Sequence, residues 1–235
     1  MWLQLFLTGL LAASATADSL QDDAEARGPL AVRTEFLDAV RACGVIPAYE
    51  PDLRMQTTSQ IIAYHGDPRA VLVSRWSELP DPVQGLMATW AANTAPDETP
   101  QAFFQTMFQD MGVAHELGHW LQNQSGRYQT LSRWDTELEA NRIGIAFAER
   151  RDGHASVARR IERFGWLMTV PYAPPADRDR IDYFNTDYAA LSRDPVGYGW
   201  YQAALARAAW EDHGEDDFCD LVRLNAPPAP TASPG

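Results

Sequence analysis

Two histidines four residues apart, with a glutamate directly after the first, are the residues of this chain best suited to chemistry: His115-Glu116-Leu117-Gly118-His119. On a helix, positions four apart lie one turn apart on the same face, so the two imidazoles can address one metal ion. Glu116 falls on an adjoining face, where its carboxylate reaches a water on the metal rather than the metal itself. From Val113 to Leu121 every other residue is uncharged, which suits a helix buried in the protein. Gly118 is a poor mid-helix residue, costing about 1 kcal/mol against Ala, and implies that another element comes close there. The chemistry on offer is attack by a metal-activated water with Glu116 as general base. The bland alternative is a pair of ordinary core or surface histidines.

The stretch resembles the zinc-binding helix of the zincin metallopeptidases, whose signature is His-Glu-x-x-His with uncharged flanks. The metzincin branch needs His-Glu-x-x-His-x-x-Gly-x-x-His, but Trp120-Leu121-Gln122-Asn123-Gln124-Ser125 follows His119 and contains no further His. The gluzincin branch takes a Glu from a following helix, typically in Glu-x-x-(small)-Asp/Asn. Glu137-Leu138-Glu139-Ala140-Asn141 fits that pattern, 18 residues past His119. The resemblance covers His115 to Asn141 with their flanks; beyond this the chain has a general similarity to small exported metallopeptidases. It implies Zn2+ as cofactor, held by His115, His119 and Glu137, with Glu116 as general base and a peptide or protein as substrate. It also implies a zincin-like α+β fold, in which the edge strand of a small sheet lines a cleft above the metal-binding helix. Gluzincin-like enzymes usually add a Tyr or His that steadies the oxyanion. Tyr198, Tyr201 and His213 are the candidates, and the sequence does not choose among them; aromatic core packing accounts for the two tyrosines equally well.

Glu139 competes with Glu137 for the third ligand position. On a helix from about Leu131 to Arg151, Asp135, Glu139, Arg142 and Glu149 form a polar stripe suited to solvent. Glu137 shares its face with Asn141, Gly144, Ile145 and Ala148, small or apolar residues suited to packing on the first helix. Glu137 is therefore the expected ligand. Asn141, one turn on, is either the acceptor for the free ring N–H of His115 or His119, or an ordinary helix amide.

Positioning these residues requires a long helix, and apolar periodicity predicts one from about Thr99 to Gln124, with Pro100 in its first turn. Helices are also expected over Leu30–Cys43 (stopped by Gly44), Val83–Ala92, His154–Met168 and Pro195–Asp212, with a proline-rich loop from Pro171 to Asp179. Ile61-Ile62-Ala63-Tyr64 and Ala70-Val71-Leu72-Val73, separated by His65-Gly66-Asp67-Pro68, read as strands of a small N-terminal sheet, either of them a candidate edge. Strands first and helices after is an α+β order.

Composition sets the remaining bounds. The 235 residues are 46% apolar, enough for a core, and carry 19 basic residues against 32 acidic ones, a net charge of −13. Such a chain repels phosphate backbones, so nucleic acid is an unsuitable partner. No apolar run reaches the roughly 20 residues of a membrane span. Met1 to Ala17, with an apolar stretch ending in Ala15-Thr16-Ala17, reads as a secretory signal peptide, the alternative being an uncleaved apolar helix. Export gives a secreted or periplasmic protein, expected as a monomer, with one domain over 18–225 and a disordered Pro/Ala-rich tail at 226–235. In an oxidising compartment Cys43 and Cys219 are expected to pair, worth up to roughly 5 kcal/mol in the chain-entropy account; two buried thiols are the alternative. Two further readings keep the zinc site: an amidase acting on a non-protein amide, and a non-catalytic binding module for peptide or cell-wall material. Glu116 argues against the module, because a structural site has no use for a base.

Overall fold

The structure is a computed structural model that describes residues 25–58, 61–170, 172, 174–175, 177–212, 214 and 217–227. The signal segment 1–17, residues 228–235 of the tail and His213 lie outside the described residues. Helix α1 (Arg27–Ala42) turns Val32, Phe36, Leu37 and Val40 inward at helical spacing. Gly44, at φ 81°, reverses the chain after it, a conformation that glycine adopts without a Cβ penalty.

Three short strands follow: β1 (Asp52–Met55), β2 (Ile62–His65) and β3 (Ala70–Val73), in the order β1-β3-β2. β3 is central and buried at all four residues, parallel to β1 and antiparallel to β2. The run at Val71 therefore cannot be the free edge; β2 is the edge strand nearest the histidines. β1 was not expected. It has one buried residue in four, and its partner lies 18 residues further on, so only tertiary pairing makes it a strand.

The rest is helical, as an α+β order requires. α2 spans Asp81–Thr94. The expected rod from Thr99 to Gln124 has three parts: α3 (Pro100–Phe104), a π-helical stretch (Gln105–Gly112) and α4 (Val113–Ser125). Thr99 caps its start, its hydroxyl oxygen accepting the Ala102 N–H at 3.2 Å. Gly126, at φ 80°, ends it. α5 (Arg133–Asp152) and α6 (His154–Gly165) follow, the latter closing in a 3₁₀ turn at Trp166–Thr169. α7 (Arg180–Leu191) was not anticipated; it is capped by Asp179, whose carboxylate accepts the Ile181 and Asp182 N–H groups. α8 is Pro195–Glu211, and α9 (Phe218–Leu224) is a second unanticipated helix, capped by Asp217. No helix among the described residues is long and apolar enough to cross a membrane.

α4 runs through the middle of the core, where Val113, Leu117, Trp120 and Leu121 meet Phe36 of α1, Phe147 of α5 and Phe218 of α9. The expected disulfide is present: Cys43 at the end of α1 is bonded to Cys219 in α9. α4 and α5 touch almost backbone to backbone. A Cβ added at Gly118 would stand 2.9 Å from the Ala140 carbonyl oxygen and 3.0 Å from its Cα, and one at Gly144 would stand 3.1 Å from the His115 nitrogen. That contact explains a glycine in mid-helix.

Gly118→Ala is therefore expected to destabilise the protein although Ala is the better helix former. The propensity gain of about 1 kcal/mol is set against a backbone displacement costing about 1–3 kcal/mol. The expected result is a lowered melting temperature together with weaker metal binding, because the two helices that carry the ligands are pushed apart. An unchanged melting temperature would refute the close-approach account.

Candidate metal centre

His115 and His119 project from one face of α4, and Glu137 from the facing side of α5. The Glu137 Oε2 atom lies 3.3 Å from His115 Nε2 and 3.6 Å from His119 Nε2. The two imidazole rings stand nearly perpendicular, 4.7 Å apart at their centroids. One ligand atom from each of the three residues falls within 4.8 Å of the others, and among the described residues no other His, Cys, Asp or Glu cluster is so arranged. Two neutral nitrogens and a carboxylate oxygen, nearly shielded from solvent, can hold a metal ion, and this donor set is one that zinc accepts. Glu137 is thus the carboxylate brought to the histidines. Glu139 is occupied elsewhere: Arg127 holds both its oxygens and Gln122 reaches it at 3.3 Å. Its stripe is less solvated than expected, because the Glu139 side chain is only 13% exposed.

The histidine support differs from expectation. Asn141 donates its side-chain N–H to the Glu137 backbone carbonyl at 2.9 Å, one turn back in its own helix, and so behaves as a helix amide. The partner of His119 is Gln122, whose Oε1 lies 2.9 Å from Nδ1. The Gln122 amide N–H in turn donates to the Thr136 carbonyl at 2.9 Å, which fixes the direction of its oxygen. Once Nε2 gives up its proton to bind a metal, the remaining ring proton of His119 is on Nδ1, facing Gln122. His115 Nδ1 is buried with no hydrogen-bond partner among the described residues.

Glu116 is buried beside the histidines, and its Oε2 accepts the backbone N–H of Tyr64 at 2.6 Å. The β2–β3 register, with Ser74 N–H bonded to the Ile61 carbonyl, turns the backbone groups of Ile62 and Tyr64 away from β3. The outer edge of β2 therefore orients the carboxylate. A further network ties β2 to α4: Asn123 donates to the Tyr64 hydroxyl at 3.0 Å and to the Tyr49 hydroxyl at 2.8 Å.

Of the oxyanion candidates, Tyr198 lies at the site and Tyr201 does not. Tyr198 lines the same cavity as His115 and Glu116. Its hydroxyl is 3.4 Å from that of Tyr188, which reaches Glu137 Oε1 at a long 3.5 Å. Burial, reinforced by the Glu137 charge, pushes the Tyr188 phenol up to about 12 and the Tyr198 phenol well above its usual value, so both remain protonated donors at neutral pH. Tyr201 packs in a core of Phe184, Trp200 and Leu205 and is fully buried. Although only three residues after Tyr198, it does not line the cavity. Four residues around the centre went unread in the sequence: Gln122, Tyr128 (its ring 5.6 Å from that of His119), Tyr188 and Gln202, which donates to Glu137 Oε2 at 3.1 Å. Spacing signals existed for two: Gln122 is three residues past His119, and Gln202 four past Tyr198.

Charge in the metal-free centre is balanced as an ion pair. Burial alone would lower the His119 imidazole, but the Glu137 charge and hydrogen bond outweigh it, with help from Glu116 and Gln122, and bring it up to about 9. Burial would raise Glu137, but the two histidines hold it well below the usual carboxylate range. His119 is thus protonated at pH 7, and an entering metal must displace that proton. The expected result is release of about one proton per ion at pH 7, with apparent affinity rising up to about tenfold per pH unit and levelling off above about pH 9. Binding enthalpies measured in buffers of different ionisation heat test this; buffer-independent enthalpies would overturn it. The sign for folding is opposite at the two partners. The His119 contribution is full below its ordinary 6.5 and lost as pH rises through about 9, and that of Glu137 is present above 4.5 and lost in acid. The pair therefore supports the metal-free fold best between pH 4.5 and 6.5.

Comparisons of the chain with protein-family models, with curated proteins and with solved structures found no match.

Proposed function

We propose that the protein is an exported, zinc-dependent peptidase of the zincin type. The observation that carries this reading is a second carboxylate, Glu116, held by a strand-edge N–H in the cavity that His115 also lines, yet outside the ligand set. A structural metal site needs its ligands only. Here a carboxylate stands beside them, at the wall of a cavity that His115 also lines.

His115, His119 and Glu137 would hold the zinc ion, which would supply Lewis acidity to a substrate carbonyl and to the attacking water. Glu116 takes the proton from the attacking water and delivers it to the leaving amine. The Tyr64 N–H keeps one oxygen of that carboxylate fixed during the transfer. Tyr198, protonated at neutral pH, donates to the oxyanion as charge develops, and Tyr188 supports its hydroxyl. The outward backbone groups of Ile62 on β2 receive an extended peptide as an added strand. Export agrees with the apolar segment ahead of Asp18 and with the Cys43–Cys219 disulfide, which an oxidising compartment maintains.

The test is metal content and peptide cleavage on the same preparation. About one zinc per chain, with cleavage of a mixed peptide substrate that chelation stops and zinc restores, is the expected result. No zinc after reloading would overturn the reading, and zinc without cleavage of any peptide would turn it to the binding module.

A further inference from the structure

The cavity beside the metal-binding residues is chemically lopsided. It encloses about 230 Å³. Most of its polar side chains are gathered near Glu137, namely His115, Glu116, Asn141, Tyr198 and Gln202, and Ser192 at the end of α7 adds one hydroxyl. Its other walls are apolar and come from a separate core cluster, with Leu86, Met87 and Trp90 of α2, Phe108 of the π-helical stretch and Phe164 of α6. Trp90 is 1% exposed, and its ring is wedged edge-on against Phe103 at 5.0 Å and Phe164 at 5.2 Å. Its indole N–H donates to the Arg163 carbonyl at 2.7 Å, outside the cavity lining. The wall is therefore rigid and presents carbon. The π-helical stretch contributes Phe108, Met111 and Gly112 to the lining immediately before His115. One helical rod thus carries both the pocket wall and the metal ligands, and their spacing is fixed by the backbone.

Resting on the peptidase reading, we infer that this cavity is a recognition pocket for one bulky apolar side chain, phenylalanine best of all, on a residue next to the scissile bond. Size supports this, because an apolar cavity of about 150 Å³ accepts a benzene ring, and this one is larger. Chemistry sharpens it. The walls formed by α2, Phe108 and Phe164 have no partner for a hydroxyl, so a tyrosine that reaches them is disfavoured against phenylalanine, by up to about 100-fold. A lysine or glutamate side chain would lose its hydration with nothing to replace it. Burying a full aromatic side chain favours phenylalanine over alanine by about 10- to 100-fold.

Binding can be read without turnover, in the zinc-loaded Glu116→Gln protein. Alanine-based peptides carrying Phe, Tyr, Lys or Ala at each of two central positions are titrated by calorimetry. At one of the positions the Phe peptide is expected to bind at least about tenfold tighter than the Ala peptide, with the Lys peptide no better than Ala. Leu86→Trp, which fills the pocket from α2, should remove the Phe gain while zinc stoichiometry stays unchanged. Leu86→Ala, which enlarges the pocket, should move the preference towards Trp and serves as the readout if the larger side chain prevents folding. Equal binding of Phe and Ala peptides would overturn the pocket, even if the wild-type protein cleaves both. A Phe preference in a wild-type protein that cleaves none of them would leave the pocket standing and overturn the peptidase reading.

Discussion

Glu116→Gln is expected to reduce kcat by about 10²–10⁴-fold with zinc still bound at the wild-type ratio. Glutamine keeps a side-chain oxygen that can accept the Tyr64 N–H, so the 2.6 Å contact to the edge strand survives. It cannot take a proton from water at neutral pH. The loss should therefore fall on kcat rather than on KM, since no substrate-binding group is removed. Measured together, kcat, KM and bound zinc separate the outcomes. Unaltered kcat would sink the base assignment. Loss of zinc would mean that Glu116 supports the ligand set and does not act as the base.

The second large effect separates two glutamates that lie two residues apart on one helix. Glu137→Ala removes the carboxylate facing both imidazoles, and zinc affinity should fall by more than the roughly 10–100-fold that loss of an outer partner costs. It also removes the charge that keeps His119 protonated, so burial then favours the neutral ring. Glu139→Ala should leave zinc in place. What it disturbs is Arg127, left without its carboxylate, and through Gln122 the partner of His119 Nδ1. Its effect on affinity should stay within the outer-partner range, about 10–100-fold at most, with a loss of thermal stability. Metal titration of both variants decides it. Zinc retained by Glu137→Ala and lost by Glu139→Ala would reverse the assignment.

The carboxylate that reaches the histidines was legible in the sequence because helical periodicity sorts faces well on a 20-residue helix. Gly144 marks the side of α5 that meets α4, and Glu137 shares it. Gly118 was legible for a similar reason, as a mid-helix cost that only a neighbouring backbone explains. The same method failed for Glu139. Its stripe is polar, but a polar stripe can be satisfied by Arg127 and Gln122 as well as by water, and periodicity does not tell these apart. The crown of side chains around Glu137 was hidden because Tyr188 sits on α7, which follows a proline-rich loop. Its start signal, Asp179 ahead of Ile181 and Phe184, is short. Strand β1 and the π-helical stretch depend on tertiary contacts, with β3 and with the core beneath α2, that no local pattern records. Of the three oxyanion candidates, Tyr201 was excluded only by packing, because one turn of α8 presents Tyr198 to the cavity and Tyr201 to the core.

The Cys43–Cys219 bond encloses every residue assigned to the centre, from Tyr64 to Gln202, in one covalent loop closed over a sequence separation of 176. On the proposed peptidase reading, each molecule is exposed to other copies of itself, and surface loops are the first places to be cut. A single cut anywhere between these cysteines yields two pieces that remain one molecule. Fragments bearing His115 and Glu137 would stay joined even if severed between them, able to re-form the centre without finding each other by diffusion. Such a protein would run as intact on a non-reducing gel and fall apart only when reductant is added. The crosslink thus makes the centre tolerant of nicking, in addition to whatever it adds to folding stability.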